Sequence, residues 1–348
     1  MFNKYLKVND CLIVNILFIF IYIGYALGLD FTSLSPTLGK ANMVNEAMAG
    51  VVSETDKSTN FFVSVVNFVG GYNSANFINF LISFFYINYC IFHNRYLPFQ
   101  LFWILVLLAS IVLFLRIPHK EIMLVLPYFM IYLFYQYFGK KEKIVIFLLI
   151  TYLITYGFYA RTYFLLITLM YFIFFIYSKI SLIQRYFFSL FLVIIFFLIP
   201  LEILYSVQIT RDLSSAYRIA NSSWDGFRTA FVNFLEITSH INFIINYVYA
   251  FLRLNLPIFF DFTFKEVLHT IITLSTFYIV FFKKINFEII NKSFVKQIRC
   301  FIAAHMFTLW LFEPDLGSYL RHLLSYYPLL LFFTLNFFQE HKTNYIKK

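Results

Sequence analysis

The sequence predicts an all-α protein, a polytopic integral membrane bundle of about ten transmembrane helices in a single membrane domain, 1–348. Three observations lead to this prediction. First, 61% of the residues are hydrophobic and 13% are charged, whereas soluble domains carry roughly 25% charged residues. Second, the apolar residues fall into runs long enough to cross a bilayer. Third, lysine and arginine separate onto opposite sides of the predicted membrane.

The N-terminal region combines one predicted span with a long polar loop. The run at about 11–29 is predicted to be an uncleaved anchor and not a signal peptide, because nine more spans follow it. Polar residues then indicate an outward loop at about 30–74. Within it, residues 61–69 are apolar but too short to span, and they end at Gly70 and Gly71. They therefore predict an interfacial or re-entrant piece.

The remaining spans lie on either side of a second outward loop, about 208–266. Six of them precede it, at about 75–92, 98–115, 122–138, 144–160, 162–177 and 186–207. Inside the loop, residues 241–252 are apolar but interrupted by Asn242 and Asn246, which predicts a segment that dips into the membrane or lies on it. Three spans close the chain, at about 267–282, 294–311 and 319–338.

Ten spans place both termini on one side of the membrane. The loops on that side carry 13 Lys and 3 Arg, and the opposite loops carry 4 Lys and 7 Arg. Lysine clusters beside spans, such as residues 140–143, mark the cytoplasmic side by the positive-inside rule. The net charge of +10 therefore reflects topology, and the sequence predicts no nucleic-acid partner. It also contains no metal-ligand spacing and no nucleotide-binding motif, so we expect no metal and no cofactor.

Arginine is unusually placed, because seven of the ten arginines lie on the outward side, where topology does not require positive charge. A guanidinium group binds phosphate or carboxylate through two parallel hydrogen bonds. Arg211 and Arg218 are seven residues apart, so one helix face carries both. The alternative is that these arginines pair with nearby acids or lipid headgroups. For the cluster as a whole we favour anion binding.

Residues 222–225 (SSWD) resemble a capping box that begins a second helix. On that helix Arg228 shares a face with Phe231 and Leu235, and Glu236 lies four residues before His240, within reach of one helix turn. The candidate acid–base groups on the outward side are His240, Glu236, Asp225, Asp212, Glu313, Asp315 and His322, and we favour His240, Glu236 and Asp225.

A second candidate site lies just before the last span. There Glu313, Asp315, Arg321 and His322 fall within ten residues. The alternative interpretation is an ordinary polar turn between two helices.

Short stretches of the chain, together with its layout, resemble the Wzy-type polymerases of bacterial O-antigen and capsular polysaccharide. The stretches are 249–257 (YAFLRLNLP) and 317–321 (GSYLR), which leads to 326–328 (YYP). The layout combines about ten spans, both termini inside, and a long outward loop in the second half.

The resemblance implies a glycosyltransferase of the bacterial cytoplasmic (inner) membrane with an undecaprenyl-pyrophosphate-linked oligosaccharide as substrate. A growing glycan moves from its lipid pyrophosphate onto a new lipid-linked repeat unit, and a chain-length regulator protein is a further candidate partner. A general base, one of His240, Glu236 and Asp225, then activates the acceptor hydroxyl. Anionic groups bind Arg211, Arg218, Arg228 and Arg253, with Arg161 and Arg321 behind them.

Three other functions stay open at this point. A transporter or flippase of lipid-linked oligosaccharide needs cationic residues in a central cavity, yet the membrane-core segments are nearly free of charge. A membrane O-acyltransferase needs a buried His/Arg pair, and His305 has no arginine at its depth. A non-enzymatic assembly subunit is the third.

Overall fold

A computed structural model of the chain describes residues 57–93, 122–137, 141–221, 230–282 and 292–334, together with Ile16. These residues form helices and their connections, without a β-strand. Ala230 and Asp315 make an isolated antiparallel β-bridge. The predicted all-α class is therefore confirmed. The spans predicted at about 98–115 and, except for Ile16, at about 11–29 lie outside the described residues.

The described helices, numbered in chain order, are α1 Lys57–Phe68, α2 Tyr72–His93, α3 Ile122–Tyr137, α4 Glu142–Tyr159, α5 Tyr163–Lys179, α6 Leu182–Leu198, α7 Leu201–Asn221, α8 His240–Asn255, α9 Phe264–Phe277, α10 Lys292–Phe312, α11 Leu316–Ser325 and α12 Tyr327–Thr334. A 3-10 turn, Pro257–Phe259, follows α8, and a π-helical turn, Tyr278–Phe282, follows α9.

The chain divides into two compact units. The first holds α1–α4 and α12, and aromatic packing joins α3 to α12, where Tyr132 and Tyr135 each meet Phe332 with ring centroids 5.0 and 5.2 Å apart. Between α1 and α2, Gly70 and Gly71 adopt φ angles of 98° and 90°. Residues that carry a Cβ rarely adopt these φ angles, so the glycine pair ends α1 and turns the chain.

The second unit contains most of the predicted site residues and is built around α10. This helix packs against α5, α7 and α8, and its side chains are buried along most of its length. Near its C-terminal end the ring of Trp310 stacks on Phe277 and meets Phe251 edge-on, at 5.7 and 4.7 Å between centroids. Aromatic side chains from three helices thus fix the end of α10, where the candidate site begins.

Two predicted spans are wrong as single helices. The span at about 186–207 breaks where Ile199 adopts an extended conformation before Pro200, and the helix axes on either side differ by 86°. Proline disfavours the α-conformation of the preceding residue, so α6 ends there and α7 begins. The span at about 319–338 is interrupted at Tyr326, and Pro328 lies in the first turn of α12, where proline is well accommodated.

The described residues contain one helix, α4, that is long and apolar enough to cross a bilayer, and α6 with residues 201–213 qualifies as a second, bent span. Helices of this kind also occur as core helices of soluble proteins, so the ten spans stay a prediction.

Candidate functional site

Residues 230–239, which we call the crossing segment, are not helical. The predicted second helix is therefore wrong from Ala230 onward. Alternate amides of the segment bind partners from elsewhere in the chain: Phe231 donates to the Pro314 carbonyl at 3.2 Å, and Asn233 and Leu235 donate to side-chain oxygens, each at 2.9 Å. These bonds replace the i−4 bonds that a helix would make.

Arg211 and Asp212 of α7 together hold Asn233 of the crossing segment. Arg211 is 0% exposed; Nη2 donates to Asn233 Oδ1, and Nη1 donates to the Trp310 carbonyl at 3.4 Å. Its guanidinium carbon lies 5.2 Å from the ring centroid of Phe231. Asp212 accepts hydrogen bonds from the Asn233 backbone N at 2.9 Å and Nδ2 at 2.6 Å. In this conformation the buried Arg211 side chain therefore holds the crossing segment in place. A ligand reaches its guanidinium only if the crossing segment moves.

Two buried amides hold the next part of the segment. Asn246 of α8 accepts a hydrogen bond from the Leu235 N–H at 2.9 Å and donates to the Leu235 carbonyl at 2.8 Å. Asn246 also donates to Gln208 Oε1 at 3.2 Å, and Gln208 Nε2 donates to the Phe243 carbonyl at 3.1 Å. The signal for this site was present in the sequence, because Asn246 interrupts the apolar run 241–252. A buried amide must find partners, since leaving it unsatisfied is costly.

Glu313 and His322 form a buried pair where α10 turns into α11. His322 Nδ1 donates to Glu313 Oε1, and the two residues are 7% and 3% exposed. Asp315 caps α11 by accepting a hydrogen bond from the Ser318 N–H at 2.7 Å, and Arg321 donates to the Ser318 hydroxyl at 3.1 Å. The second candidate site of the sequence is therefore a connected polar cluster.

The charge state of Glu313 follows from its surroundings. Burial by itself would raise the pKa of this carboxyl, but the adjacent His322, with further contributions from a hydrogen bond with Ser318 and from Arg321, outweighs burial and lowers the pKa to about 2. Glu313 is therefore ionised near neutral pH and can only accept hydrogen bonds. Its second oxygen, Oε2, has no hydrogen-bond partner within the described ranges.

The crossing segment joins the two groups of ionisable side chains. Ala230 forms the β-bridge with Asp315, and Phe231 donates to the carbonyl of Pro314. Arg211 binds the carbonyl of Trp310, three residues before Glu313. Arg211, Asp212 and the turn that carries Glu313 thus contact one short piece of backbone.

Two of the predicted acid–base residues do not join this group. His240 is the first residue of α8; its Nε2 lies 2.9 Å from the Ile199 carbonyl, and its ring packs on Phe196 and Phe197. Glu236 is exposed and lies in the crossing segment, outside any helix. The predicted Glu236–His240 contact on one helix turn is therefore wrong, and His240 instead braces the bend between α6 and α7.

The predicted arginines have different outcomes. Arg211 and Arg218 share α7 as predicted, although the Arg218 side chain lies outside the described part. Arg253 lies on α8 with its guanidinium over the ring of Phe260. Asp225 and Arg228 lie outside the described residues. Arg161 lies in the first unit, between α4 and α5, where its backbone N–H donates to the Tyr156 carbonyl at 3.0 Å.

In the ranges that the structure describes, no group of three or more His, Cys, Asp or Glu side chains is arranged to hold a metal ion. Comparisons of the chain with protein-family models, with curated proteins and with solved structures return no match. Its function is therefore inferred from its own residues.

Proposed function

We propose that this protein is a glycosyltransferase of the bacterial inner membrane that polymerises lipid-linked oligosaccharide repeat units for O-antigen or capsule. The observation that carries the proposal is the buried cluster of Glu313, Arg321 and His322, joined through the crossing segment to Arg211 and Asp212. Charged groups in an apolar helical protein are costly and are retained mainly where they function.

Helix α6 supports the membrane part of the proposal. From Tyr186 to Leu198 it is apolar except for Ser189, and none of the side chains of α6 is buried. A helix of this kind needs an apolar covering, which a bilayer provides. The separation of lysine and arginine between the two sets of loops agrees with the same location.

The proposed reaction joins two lipid-linked glycans without a nucleotide. The acceptor hydroxyl oxygen forms a bond to the anomeric carbon of the donor, and the bond from that carbon to pyrophosphate breaks. Polyprenyl pyrophosphate leaves with the electron pair, and the hydroxyl proton passes to a base. Guanidinium groups stabilise the negative charge that develops on the leaving group.

His322 is the base that the geometry favours. Because the Glu313 carboxylate accepts the hydrogen bond from Nδ1, the neutral imidazole keeps its proton on Nδ1 and has its lone pair on Nε2, so Nε2 is the atom that would accept the hydroxyl proton. His240 suits this role less well, because its Nε2 is engaged with the carbonyl of Ile199. Glu313 acts here as a positioning residue that sets the orientation of the imidazole.

Deletion of the gene, followed by separation of the cell's glycans on a gel, tests the function. Loss of long chains with single repeat units still displayed is the result expected of a polymerase. Intermediates trapped in the inner leaflet would instead identify a flippase. Chains of normal length that lack acetyl groups would identify an O-acyltransferase, and an unchanged glycan profile would contradict the proposal.

A further inference from the structure

Four aromatic rings form a connected group beside Arg211. Tyr249 lies at the centre, with its centroid 5.9 Å from that of Phe231, 5.7 Å from Phe234 and 5.8 Å from Phe260. Phe231 is buried, whereas Phe234 is 69% exposed and Phe260 is 39% exposed. The group therefore presents a partly open aromatic surface, to which the crossing segment, α8 and the turn after α8 each contribute.

Arg253 completes this surface, because its guanidinium carbon lies 4.8 Å from the ring centroid of Phe260. Two other described arginines stack on rings, and both also donate hydrogen bonds. Arg185 lies over Tyr177 and donates to that residue's carbonyl at 3.1 Å, while Arg211 lies over Phe231 and donates to Asn233. Arg253 has a buried Nε without a hydrogen-bond partner in the described residues. It is a stacked cation with at least one hydrogen-bond donor that has no partner among the described residues.

The chemistry of the surface specifies a ligand with two features. A guanidinium group binds a carboxylate or phosphate through two parallel hydrogen bonds, and stacking on Phe260 holds it ready to do so. The neighbouring rings of Tyr249 and Phe234 bury apolar area, which the C–H face of a sugar ring supplies. Both features occur within one sugar residue that bears an acidic group.

We propose that Arg253, Phe260, Tyr249 and Phe234 form a binding site for an acidic sugar, a hexuronic acid in which the carboxylate is attached directly to the ring. In that sugar the anion and the apolar face are one bond apart, and in the protein the guanidinium over Phe260 lies next to the ring of Tyr249, which contacts Phe260. The inference that the polymerised repeat unit contains this acidic sugar rests on the proposed function. The inference that these residues bind such a sugar is tested by binding alone, without enzymatic turnover.

The test uses the full-length protein in nanodiscs of phosphatidylcholine and saturation-transfer NMR with three probes: methyl glucuronide, glucose 6-phosphate and methyl glucoside. We expect the glucuronide to bind at least about tenfold more tightly than the neutral glucoside, with its ring protons saturated by the aromatic side chains. The phosphate sugar should bind more weakly than the glucuronide, because its anion lies further from the ring. Equal binding of glucuronide and glucoside would overturn the proposal.

Variants assign the binding to these residues. Arg253→Gln should weaken glucuronide binding by about tenfold to a hundredfold, the range for losing a charged hydrogen-bond partner. Arg253→Lys should give a smaller loss, because it keeps the charge but not the planar fork. Arg185→Gln is the matched control, since Arg185 also stacks on a ring, and it should leave binding unchanged. If Arg253→Gln does not fold, the exposed Phe234→Ala must lower the saturation of the sugar ring or the site is wrong.

Two further outcomes separate the explanations. A lipid headgroup offers a phosphate to the same guanidinium, so the assay is repeated in nanodiscs that contain phosphatidylglycerol. If that lipid abolishes glucuronide binding, Arg253 serves the bilayer and the sugar site is refuted. Glucuronide binding combined with an unchanged polymer in the deletion strain would refute the polymerase function alone. Loss of polymer without a glucuronide preference would refute this site alone.

Discussion

His322 donates a hydrogen bond from Nδ1 to the carboxylate of Glu313, nine residues earlier in the chain, and both side chains are buried. The carboxylate and the imidazole come from opposite sides of the turn between α10 and α11. The pair thus connects the stability of this turn to its proposed chemistry, because removing either member leaves the other buried and uncompensated.

Glu313→Gln should reduce the free energy of unfolding at pH 7 by about 3 kcal/mol, the lower end for breaking a buried ion pair. The folded-state pKa of Glu313 is lowered from 4.5 to about 2, so its contribution is complete above about pH 4.5 and is lost as the pH falls through 2. The stability difference between the two proteins should therefore shrink over that interval. Denaturant titration in detergent at several pH values measures it.

Glu202→Gln is the matched control for this experiment, since Glu202 lies on α7 and is exposed. We expect a change of less than about 0.5 kcal/mol at every pH, as for other surface substitutions. A difference between Glu313→Gln and the unmodified protein that stays constant down to pH 2 would contradict the ionised pair.

His322→Gln should abolish long-chain glycan in a complemented deletion strain, because glutamine keeps a polar side chain but cannot take up the proton. His240→Gln and Glu236→Gln should preserve chain length, because neither residue belongs to the cluster around Glu313. The glycan ladder on a gel, with protein abundance measured by immunoblot, provides the comparison. Normal ladders from His322→Gln at full abundance would remove this residue from the mechanism.

The backbone amides of Leu235 and Phe231, which donate to different partners, provide a local test. Asn246→Leu removes both hydrogen bonds to Leu235, so hydrogen exchange at the Leu235 amide should accelerate by about tenfold to a hundredfold. The Phe231 amide, which donates to Pro314, should change much less. Asn242→Ala serves as the control, because Asn242 bonds instead to the Glu236 carbonyl and the Thr238 hydroxyl. Unchanged exchange at Leu235 would contradict the geometry.

The topology prediction is tested in a variant that lacks Cys11, Cys90 and Cys300. Phe234→Cys should react with a membrane-impermeant maleimide in intact cells from which the outer barrier has been removed. Lys292→Cys, on the predicted cytoplasmic side, should react only after the membrane is opened. Both positions are exposed, so accessibility depends on the side of the membrane. The reverse labelling pattern would remove the basis for an outward arginine site.

Much of the helical layout follows from apolar periodicity. The spans predicted at about 75–92, 122–138 and 144–160 correspond to α2, α3 and α4 within a few residues at each end. The break at Ile199 lies directly before Pro200, whose effect on the preceding backbone is local and visible in the sequence. The break at Tyr326 lies two residues before Pro328, which occupies the first turn of the next helix. A hydropathy average over a whole span hides such a break.

The candidate site was less predictable, because its contacts join residues that are far apart in the chain. Glu313 and His322 were recognised as neighbours in sequence, but the role of Asn233 depends on Arg211 and Asp212, more than twenty residues earlier. From Ala230 onward, the helix expected after residues 222–225 is replaced by hydrogen bonds from the amides of the crossing segment to partners in α7, α8 and the turn after α10. Local propensity cannot anticipate such competition from distant groups.

The turn at Pro200 determines where the residues of α7 lie relative to α6. Had α6 continued straight, Arg211 would stand about 18 Å beyond Ile199 along the same axis, at 1.5 Å per residue. Because the axis of α7 lies at 86° to the axis of α6, the length of α7 runs sideways. The Arg211 guanidinium therefore reaches the Trp310 carbonyl while advancing little along the α6 axis. Pro200 thus displaces Arg211 sideways from the end of α6 and not along the axis of α6.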